Sequence, residues 1–223
     1  MTERVFKSIA LSALVLSTFA LIGTSMVAYT EYATRDKIIE AERQAMLDNL
    51  HEVLDPSRYN NKLYTDVIRV TSKQYLGSSK PVTVFRARMD GNPVALILTP
   101  TAPDGYGGAI HLLVGVDTKG VITGVRVLSH HETPGLGDAI ELRRAPWIRE
   151  FDNKSLNNPS IKKWHVKRDS GVFDQFTGAT ITPRAVVKAV KNTLLYVQQH
   201  QQQLFAESAT TASTSVSQTE KNR

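Results

Sequence analysis

The sequence predicts an α+β protein: a single N-terminal transmembrane helix followed by a mixed, substantially antiparallel α/β domain. Three observations predict this class. A long uncharged segment lies near the N-terminus, segments that alternate apolar and polar residues fill the middle, and an amphipathic pattern of helical period lies near the C-terminus. The chain has 223 residues, 41% of them hydrophobic and 22% charged, which is enough for one packed domain.

The N-terminal element is an uncharged segment from Ser8 to Thr30. As a helix it would extend about 34 Å, enough to cross a bilayer. Arg4 and Lys7 precede it, so the positive-inside rule predicts that residues 1–7 are cytoplasmic and that the rest of the chain is exported. A cleaved signal peptide is the alternative, with Gly23-Thr24-Ser25 as a passable site. The apolar core of a signal peptide is shorter, about 7–15 residues, so we expect an uncleaved anchor at residues 8–30.

A helical stalk is predicted for residues 31–56. Apolar residues recur at helical spacing along it, and Asp55-Pro56 ends the pattern. From about residue 63 to residue 131 the period is that of strands. "VTVFRARM" and "VALILTP" flank the turn "DGNP", and "GGAIHLLVGV" and "VITGVRVLSH" flank "DTKG", which predicts two hairpins.

Further elements are predicted towards the C-terminus. Asp138 is positioned to cap a helix through "AIELRRAPWIREF", and "WHVKR" reads as a short strand. Thr182 is the expected N-cap of the last helix, with Pro183 at its first position and an apolar face beyond. These elements place one exported domain at residues 57–205, which in a bacterium would be periplasmic, and the Gln-, Ser- and Thr-rich composition of residues 206–223 predicts a disordered tail.

The composition excludes several kinds of site. The chain contains no cysteine, which rules out disulfides and thiolate-held zinc or iron–sulfur centres. The net charge of +6 is spread along the chain without long runs, which does not favour nucleic-acid binding. His130, His131 and Glu132 are adjacent, and adjacent residues of an extended segment point to opposite faces, so we predict no metal site. No catalytic acid, base or nucleophile is assigned.

The segment "FDQFTGATITPRAVVKAV" crowds three threonines and a glycine at the start of the last helix. Helix N-termini carry unpaired N–H groups and a partial positive charge, and they therefore favour phosphate. Gly178 would let backbone approach a ligand, with Thr177, Thr180 and Thr182 around it. The plain alternative is that Thr182 caps the helix, Gly178 makes a turn and the other hydroxyls are solvated. The residues alone leave both interpretations open.

The segment "SHHETPGLGDAI" is the second candidate. Pro134-Gly135 predicts a type II turn, Gly137 offers another place for close backbone approach to a flat ligand, and Leu136 has no evident core partner. An ordinary loop between a strand and a helix is the alternative.

Both segments resemble those of a known family. "DQFTGAT" is similar to the D-x-x-[ST]-G-A-[ST] signature of proteins that carry FMN covalently, and "HETPGLG" resembles the second flavin-contacting motif of the same FMN-binding domain. With "TAPDGYGGAIHLLVGVD" and "RYNN", the chain resembles the G subunits of Rnf/Rsx ion-translocating electron transport complexes. The likeness extends to about residue 197. One departure is "FDNKS", in which Asn153 stands where the family pattern F-x-G-K has glycine.

The resemblance implies an electron-relaying flavoprotein with FMN joined through its phosphate to Thr180. It implies a bacterial inner membrane location, with the bulk of the chain on the periplasmic side. The implied partners are membrane lipid, a separate flavin transferase for maturation, and the Rnf/Rsx subunits A, B, C, D and E, with the D subunit as the flavin-bearing neighbour. The remaining cofactor-binding residues that it implies are Asp174, Thr177, Gly178, Ala179, Thr182, His131, Glu132, Thr133, Pro134, Gly135, Leu136 and Gly137.

Two other functions stay open at this point. One is the equivalent C subunit of the Na⁺-translocating NADH:quinone reductase, whose chains are typically longer. The other is a membrane-anchored periplasmic binding or assembly module without redox function.

Overall fold

The computed structural model describes residues 2–206, and the predicted tail lies outside these residues apart from Ala206. The chain divides into two compact units, Met1–Asp48 and Asn49–Arg223.

The described part of the first unit is residues 2–48 of the helix α1, which spans Thr2–Val53, and the last five residues of α1 belong to the second unit. α1 contains the predicted anchor and most of the predicted stalk. The side chains from Ile9 to Ala33 are exposed, including Phe19 and Met26. Among the described residues, α1 is the one helix that is long and apolar enough to cross a membrane. Exposed apolar side chains of this density fit hydrocarbon surroundings better than water.

The second unit is built on a six-stranded antiparallel sheet. The strand order is β1-β2-β3-β5-β4. β6 also pairs with β5, on the edge that β3 and β4 leave free. The two predicted hairpins are confirmed as β2–β3 and β5–β6. The strands are β1 (Val67–Ser72), β2 (Ser78–Met89), β3 (Asn92–Leu98), β4 (Thr101–Gly105), β5 (Gly108–Asp117) and β6 (Ile122–Ser129).

Two further α-helices complete the regular structure, the short α2 (Lys73–Leu76) and the long α3 (Ile181–Ala206). α3 contacts α2, β4 and β5. Its apolar face is the predicted one: Val186, Val190, Leu194 and Val197 are buried. α3 therefore packs on the β4–β5 hairpin through this apolar face.

The predictions for residues 138–169 were wrong in two places. "AIELRRAPWIREF" does not form one helix but two 3₁₀ turns, Gly137–Ile140 and Pro146–Phe151, because Pro146 lacks the N–H that a continuing helix would use. "WHVKR" is not a strand, since its backbone makes a single bridge, between Val166 and Phe173, and then enters the 3₁₀ turn Lys167–Asp169.

An aromatic cluster anchors the threonine-rich segment to the core. Phe173 stacks on Phe151 with ring centroids 4.6 Å apart, and Phe176 meets Trp147 edge-on at 5.0 Å. Asn153, the departure from the family pattern, has a φ of 62° and so occupies the left-handed region where glycine is usual. Asparagine tolerates this region better than most residues, so Asn153 can adopt a backbone conformation that usually requires glycine.

Candidate functional site

The two candidate segments form two similar turns. In Thr133–Leu136 the Leu136 N–H donates to the Thr133 carbonyl at 3.1 Å, and Gly135 has a φ of 77°. Positive φ at the third residue with this hydrogen bond is the pattern of a type II turn, as predicted for Pro134-Gly135.

The second turn is Phe176–Ala179. The Ala179 N–H donates to the Phe176 carbonyl at 3.2 Å, and Gly178 has a φ of 80°. A Cβ built on Gly178 would lie 3.6 Å from Leu136, which is ordinary van der Waals contact. The two segments, far apart in the chain, therefore meet at Gly178 and Leu136.

A cavity of about 340 Å³ opens where these turns meet the start of α3, a volume within the usual range for small-molecule sites. Eight of the predicted cofactor-binding residues line it, together with Tyr106 and Ile181, which the sequence did not single out. The eight are Glu132, Thr133, Leu136, Gly137, Gly178, Ala179, Thr180 and Thr182.

A buried carboxylate joins the walls of the cavity. Glu132 is 4% exposed, and its Oε1 accepts a hydrogen bond from the Gly107 N–H at 2.8 Å. Its Oε2 accepts a short hydrogen bond from the hydroxyl of Thr182. The side chain thus links the tip of the β4–β5 hairpin to the first turn of α3, and both of its oxygens are occupied by the protein. We call this set of contacts the Glu132 clamp.

Two glycines make room for the clamp. A Cβ on Gly107 would lie 1.9 Å from the carbonyl oxygen of His131, and a Cβ on Gly137 would lie 2.9 Å from both Cβ and Oε2 of Glu132. No side chain fits at such distances without displacing its neighbours. Within the described residues Gly137 thus lies close to protein atoms, and its predicted approach to a flat ligand stays a prediction.

The backbone of Glu132 is held by a hydrogen bond to the side chain of His130. Its N–H donates to Nδ1 of His130 at 3.0 Å, so the ring proton lies on Nε2, which donates to Glu141 at 2.8 Å. A hydrogen bond from Arg143, and then that from His130, lower the pKa of Glu141 to about 2. This chain of hydrogen bonds holds the loop that carries the clamp.

The three threonines of the segment differ in their surroundings. Thr182 is not the N-cap that the sequence predicted, because α3 begins one residue earlier, at Ile181, and the Thr182 hydroxyl is buried against Glu132. Thr177 is exposed on its turn and does not line the cavity. Thr180 is half-buried, lines the cavity and directly precedes α3, and no group among the described residues hydrogen-bonds to its hydroxyl.

Four other predicted site residues lie outside the cavity lining. His131, Pro134 and Gly135 are exposed on the loop, and Asp174 is exposed at the start of the threonine segment. The cavity lining thus contains part of each motif, and these four residues lie outside it.

Asp174 is nevertheless well fixed. Its carbonyl accepts a hydrogen bond from the Trp147 indole at 2.9 Å, and its N–H donates to Glu150 at 3.0 Å. Its carboxylate pairs with Lys167 and raises the pKa of that amine, while burial raises the pKa of Glu150.

The cavity suits a flat ligand that carries a phosphate. Among the described residues, Glu132 is the only charged one in its lining, and the apolar surfaces of Tyr106, Leu136 and Ile181 face it from three different segments. At one end the cavity offers the hydroxyl of Thr180 and the N-terminus of α3, whose dipole favours anions such as phosphate. FMN has both parts, and the residues present fit it.

Comparison with known proteins agrees with this geometry. Residues 105–195 match the family model for an FMN-binding domain, which covers every residue that lines the cavity, and residues 1–53 match the model for the RnfG N-terminal region.

Similar relatives carry one name, that of the G subunit of an ion-translocating oxidoreductase complex. The protein of this name from Pseudoalteromonas atlantica is 46% identical over 90% of this chain and 93% of its own length. That from Shewanella amazonensis is 47% identical over 89% and 93%, and that from Pseudomonas aeruginosa 46% identical over 90% and 94%. This chain therefore belongs to the family of G subunits of ion-translocating oxidoreductase complexes.

Proposed function

We propose that this chain is the electron-carrying flavoprotein subunit of an ion-translocating membrane complex and that its FMN is joined through phosphate to Thr180. Family membership and the FMN-binding match support the cofactor. One observation carries the attachment site: of the three threonines, only Thr180 combines a place in the cavity lining with a hydroxyl that no described group engages.

The position of Thr180 also favours a phosphodiester electrostatically. It directly precedes Ile181, the first residue of α3, so a phosphate there would lie beside the unpaired N–H groups of the first helical turn. An anion at an exposed helix N-terminus gains about 0.3–1 kcal/mol from the dipole.

Attachment requires a second protein. A threonine hydroxyl is a weak nucleophile unless a base activates it, and among the described residues no carboxylate or imidazole hydrogen-bonds to that of Thr180. In the reaction we propose, the Thr180 oxygen forms a bond to the FMN phosphorus of FAD. The anhydride bond breaks, AMP leaves and the hydroxyl proton is released. A Mg-dependent flavin transferase would supply the base, with Asp174 and Thr177 in the segment that it recognises.

The chain then orients the cofactor and does no acid–base chemistry of its own. When bound, FMN supplies one- or two-electron transfer at its ring. The turns at Gly135 and Gly178 bring backbone to the cavity edge, and Glu132 is committed to the clamp. The subunit would thus relay electrons between partners without catalysing a complete reaction alone.

Variants of the attachment residue test the proposal. Coexpressed with a flavin transferase, Thr180→Ala should fold normally and carry no covalent flavin, whereas Thr180→Ser should keep it because its hydroxyl remains. Thr182→Ala is the matched control and should be less stable yet still flavinylated. Flavin fluorescence of the denatured, washed polypeptide is the readout, and fluorescence retained by Thr180→Ala would disprove the assignment.

The partners and location follow from the same proposal. We propose that the chain assembles with Rnf/Rsx subunits A to E, with the D subunit as its flavin-bearing neighbour. We also propose that α1 anchors it in a bacterial inner membrane with residues 57–205 in the periplasm. Arg4 and Lys7 before the uncharged segment support this orientation. A reporter that works only in the cytoplasm, fused after Arg223, should be silent; strong activity would reverse the orientation.

A further inference from the structure

Exposed apolar surface in the second unit is concentrated around one cavity. Within residues 49–206, five large hydrophobic side chains are exposed, and three of them line the cavity that holds Thr180. These are Tyr106, Leu136 and Ile181, which are 70%, 45% and 47% exposed. We call them the apolar rim. Clustered exposed apolar groups usually mark a place that a ligand or partner covers.

Tyr106 is the largest and most exposed member of the rim, and it is held in place. It lies in the two-residue turn between β4 and β5, flanked by Gly105 and Gly107. The Gly107 N–H donates to Glu132 at 2.8 Å, and a Cβ on Gly105 would lie 2.9 Å from the same carboxylate oxygen. The hairpin tip is thus fastened to the interior by the Glu132 clamp, and the exposure of Tyr106 belongs to a fixed turn.

The chemistry of the cavity indicates what covers the rim. In the part of the chain that the structure describes, the only charged lining residue is Glu132, whose two oxygens are both occupied, so the lining favours a largely apolar, uncharged group over a second anion. The occupant must also begin at Thr180, which lies in the same lining. A planar aromatic ring tethered there would cover the rim without any further partner.

We propose that Tyr106 is the ring-contact residue of this subunit: the flavin ring packs against its side chain, and Glu132 acts as a positioning residue that holds the hairpin tip beside the ring. This inference rests on the attachment proposed at Thr180 and adds the residue that contacts the ring. Leu136 and Ile181 complete the apolar contact from the other two segments. An aromatic pair gives the ring a preferred docked position, and an electron-rich phenol quenches flavin fluorescence by donating an electron to the excited ring.

The test compares flavin lifetimes and iodide access in the full-length flavinylated protein. In Tyr106→Ala the short-lifetime component should be lost with its electron donor. The ratio of docked to free ring, measured as the ratio of iodide-protected to iodide-accessible fluorescence amplitude, should fall roughly fivefold, the effect of losing an aromatic pair. Tyr106→Phe should lengthen the lifetime, because phenylalanine is a poor electron donor, and yet keep the iodide protection. Tyr64→Ala, which changes an exposed tyrosine outside the cavity lining, should alter neither.

The possible outcomes distinguish a failure of this inference from a failure of the attachment proposed at Thr180. The FMN mass increase must be present in the parent protein and in every variant, and its absence from the parent would count against attachment itself. If Tyr106→Ala carries the mass increase but shows parental lifetimes and iodide access, the inference is wrong. If that variant instead loses other complex subunits on purification with the ring readouts unmoved, the apolar rim is a protein-docking surface, which also overturns the proposal.

Discussion

The hydrogen bond between Thr182 and Glu132 should contribute measurably to the stability of the second unit. Both side chains are buried, at 1% and 4% exposed, so neither can exchange its partner for water. The perturbation is Thr182→Val, which keeps the shape of the side chain and removes only the hydroxyl. The Glu132 oxygen then stays buried without its donor.

The size of the effect follows from the charge on the acceptor. A hydrogen bond to a charged group contributes about 1.5–3 kcal/mol, and a buried acceptor left unpaired loses that contribution. We therefore expect Thr182→Val to lower the free energy of unfolding by about 2 kcal/mol. Thr182→Ser keeps the hydroxyl and loses one buried methyl group, for which we expect about 0.8 kcal/mol.

A double-mutant cycle isolates the pair. Glu132→Ala removes the carboxylate and with it the partner of the Thr182 hydroxyl. In that background Thr182→Val should cost less than in the parent, and we expect a coupling energy of about 1–2 kcal/mol.

Denaturant unfolding of the unflavinylated full-length chain in detergent is the assay. Trp147 and Trp164 are the only tryptophans in the chain, and both are buried in the second unit, so their fluorescence reports its unfolding. A coupling energy indistinguishable from zero, or a Thr182→Val variant as stable as Thr182→Ser, would refute the account of Glu132 as a clamp.

Three further predictions concern the loops beside the cavity. Because Arg143 lowers the pKa of Glu141 from 4.5 to about 2, this group adds stability that is complete above pH 4.5 and lost as the pH falls towards 2. Glu141→Gln should therefore show a shallower loss of stability than the parent across that interval in acid titrations followed by tryptophan fluorescence. Gly135→Ala should cost about 1–2 kcal/mol, because its φ is 77° in otherwise open space. Gly137→Ala should destabilise through its clash with Glu132, and equal flavin spectra and stabilities for parent and both variants would contradict the geometry of the turn.

The sheet and the two long helices were predictable because their signals are local. Period-two alternation marks the β2–β3 hairpin, and the turn Asp90-Gly91 supplies the positive φ values that it needs, 52° and 81°. The apolar stripe from Val186 to Val197 marks α3 in the same way. Each pattern is complete within one element and does not depend on a distant partner.

The errors at Thr182 and Asp138 have a tertiary and a local cause. Thr182 has the composition of an N-cap, but Glu132, fifty residues earlier, takes its hydroxyl, and the helix begins at Ile181 instead. Asp138 likewise does not cap a helix, since its carboxylate accepts the Gly135 N–H at 2.8 Å within the loop. Only the folded chain brings Thr182 and Glu132 together, whereas the contact of Asp138 with Gly135 lies within one loop.

The candidate site also has features that the sequence predicts and features that it does not. The two turns at Gly135 and Gly178 follow from sequence, because glycine in such a context signals positive φ. Tyr106 carries no comparable signal, since a tyrosine between two glycines in a hairpin turn is ordinary until the structure shows it exposed beside the cavity. The two hydrogen bonds that Glu132 accepts, from Gly107 and Thr182, likewise have no signal in the sequence.

The most direct test of the central claim is to locate the flavin on the native protein. Trypsin should release the peptide from Asp169 to Arg184, which contains all three threonines of the segment. Its intact mass should exceed that of the bare peptide by one FMN less one water. Fragmentation should place the increase on Thr180, between unmodified Thr177 and unmodified Thr182. An increase on either of those two residues, or a peptide of unmodified mass from flavin-containing membranes, would contradict the account.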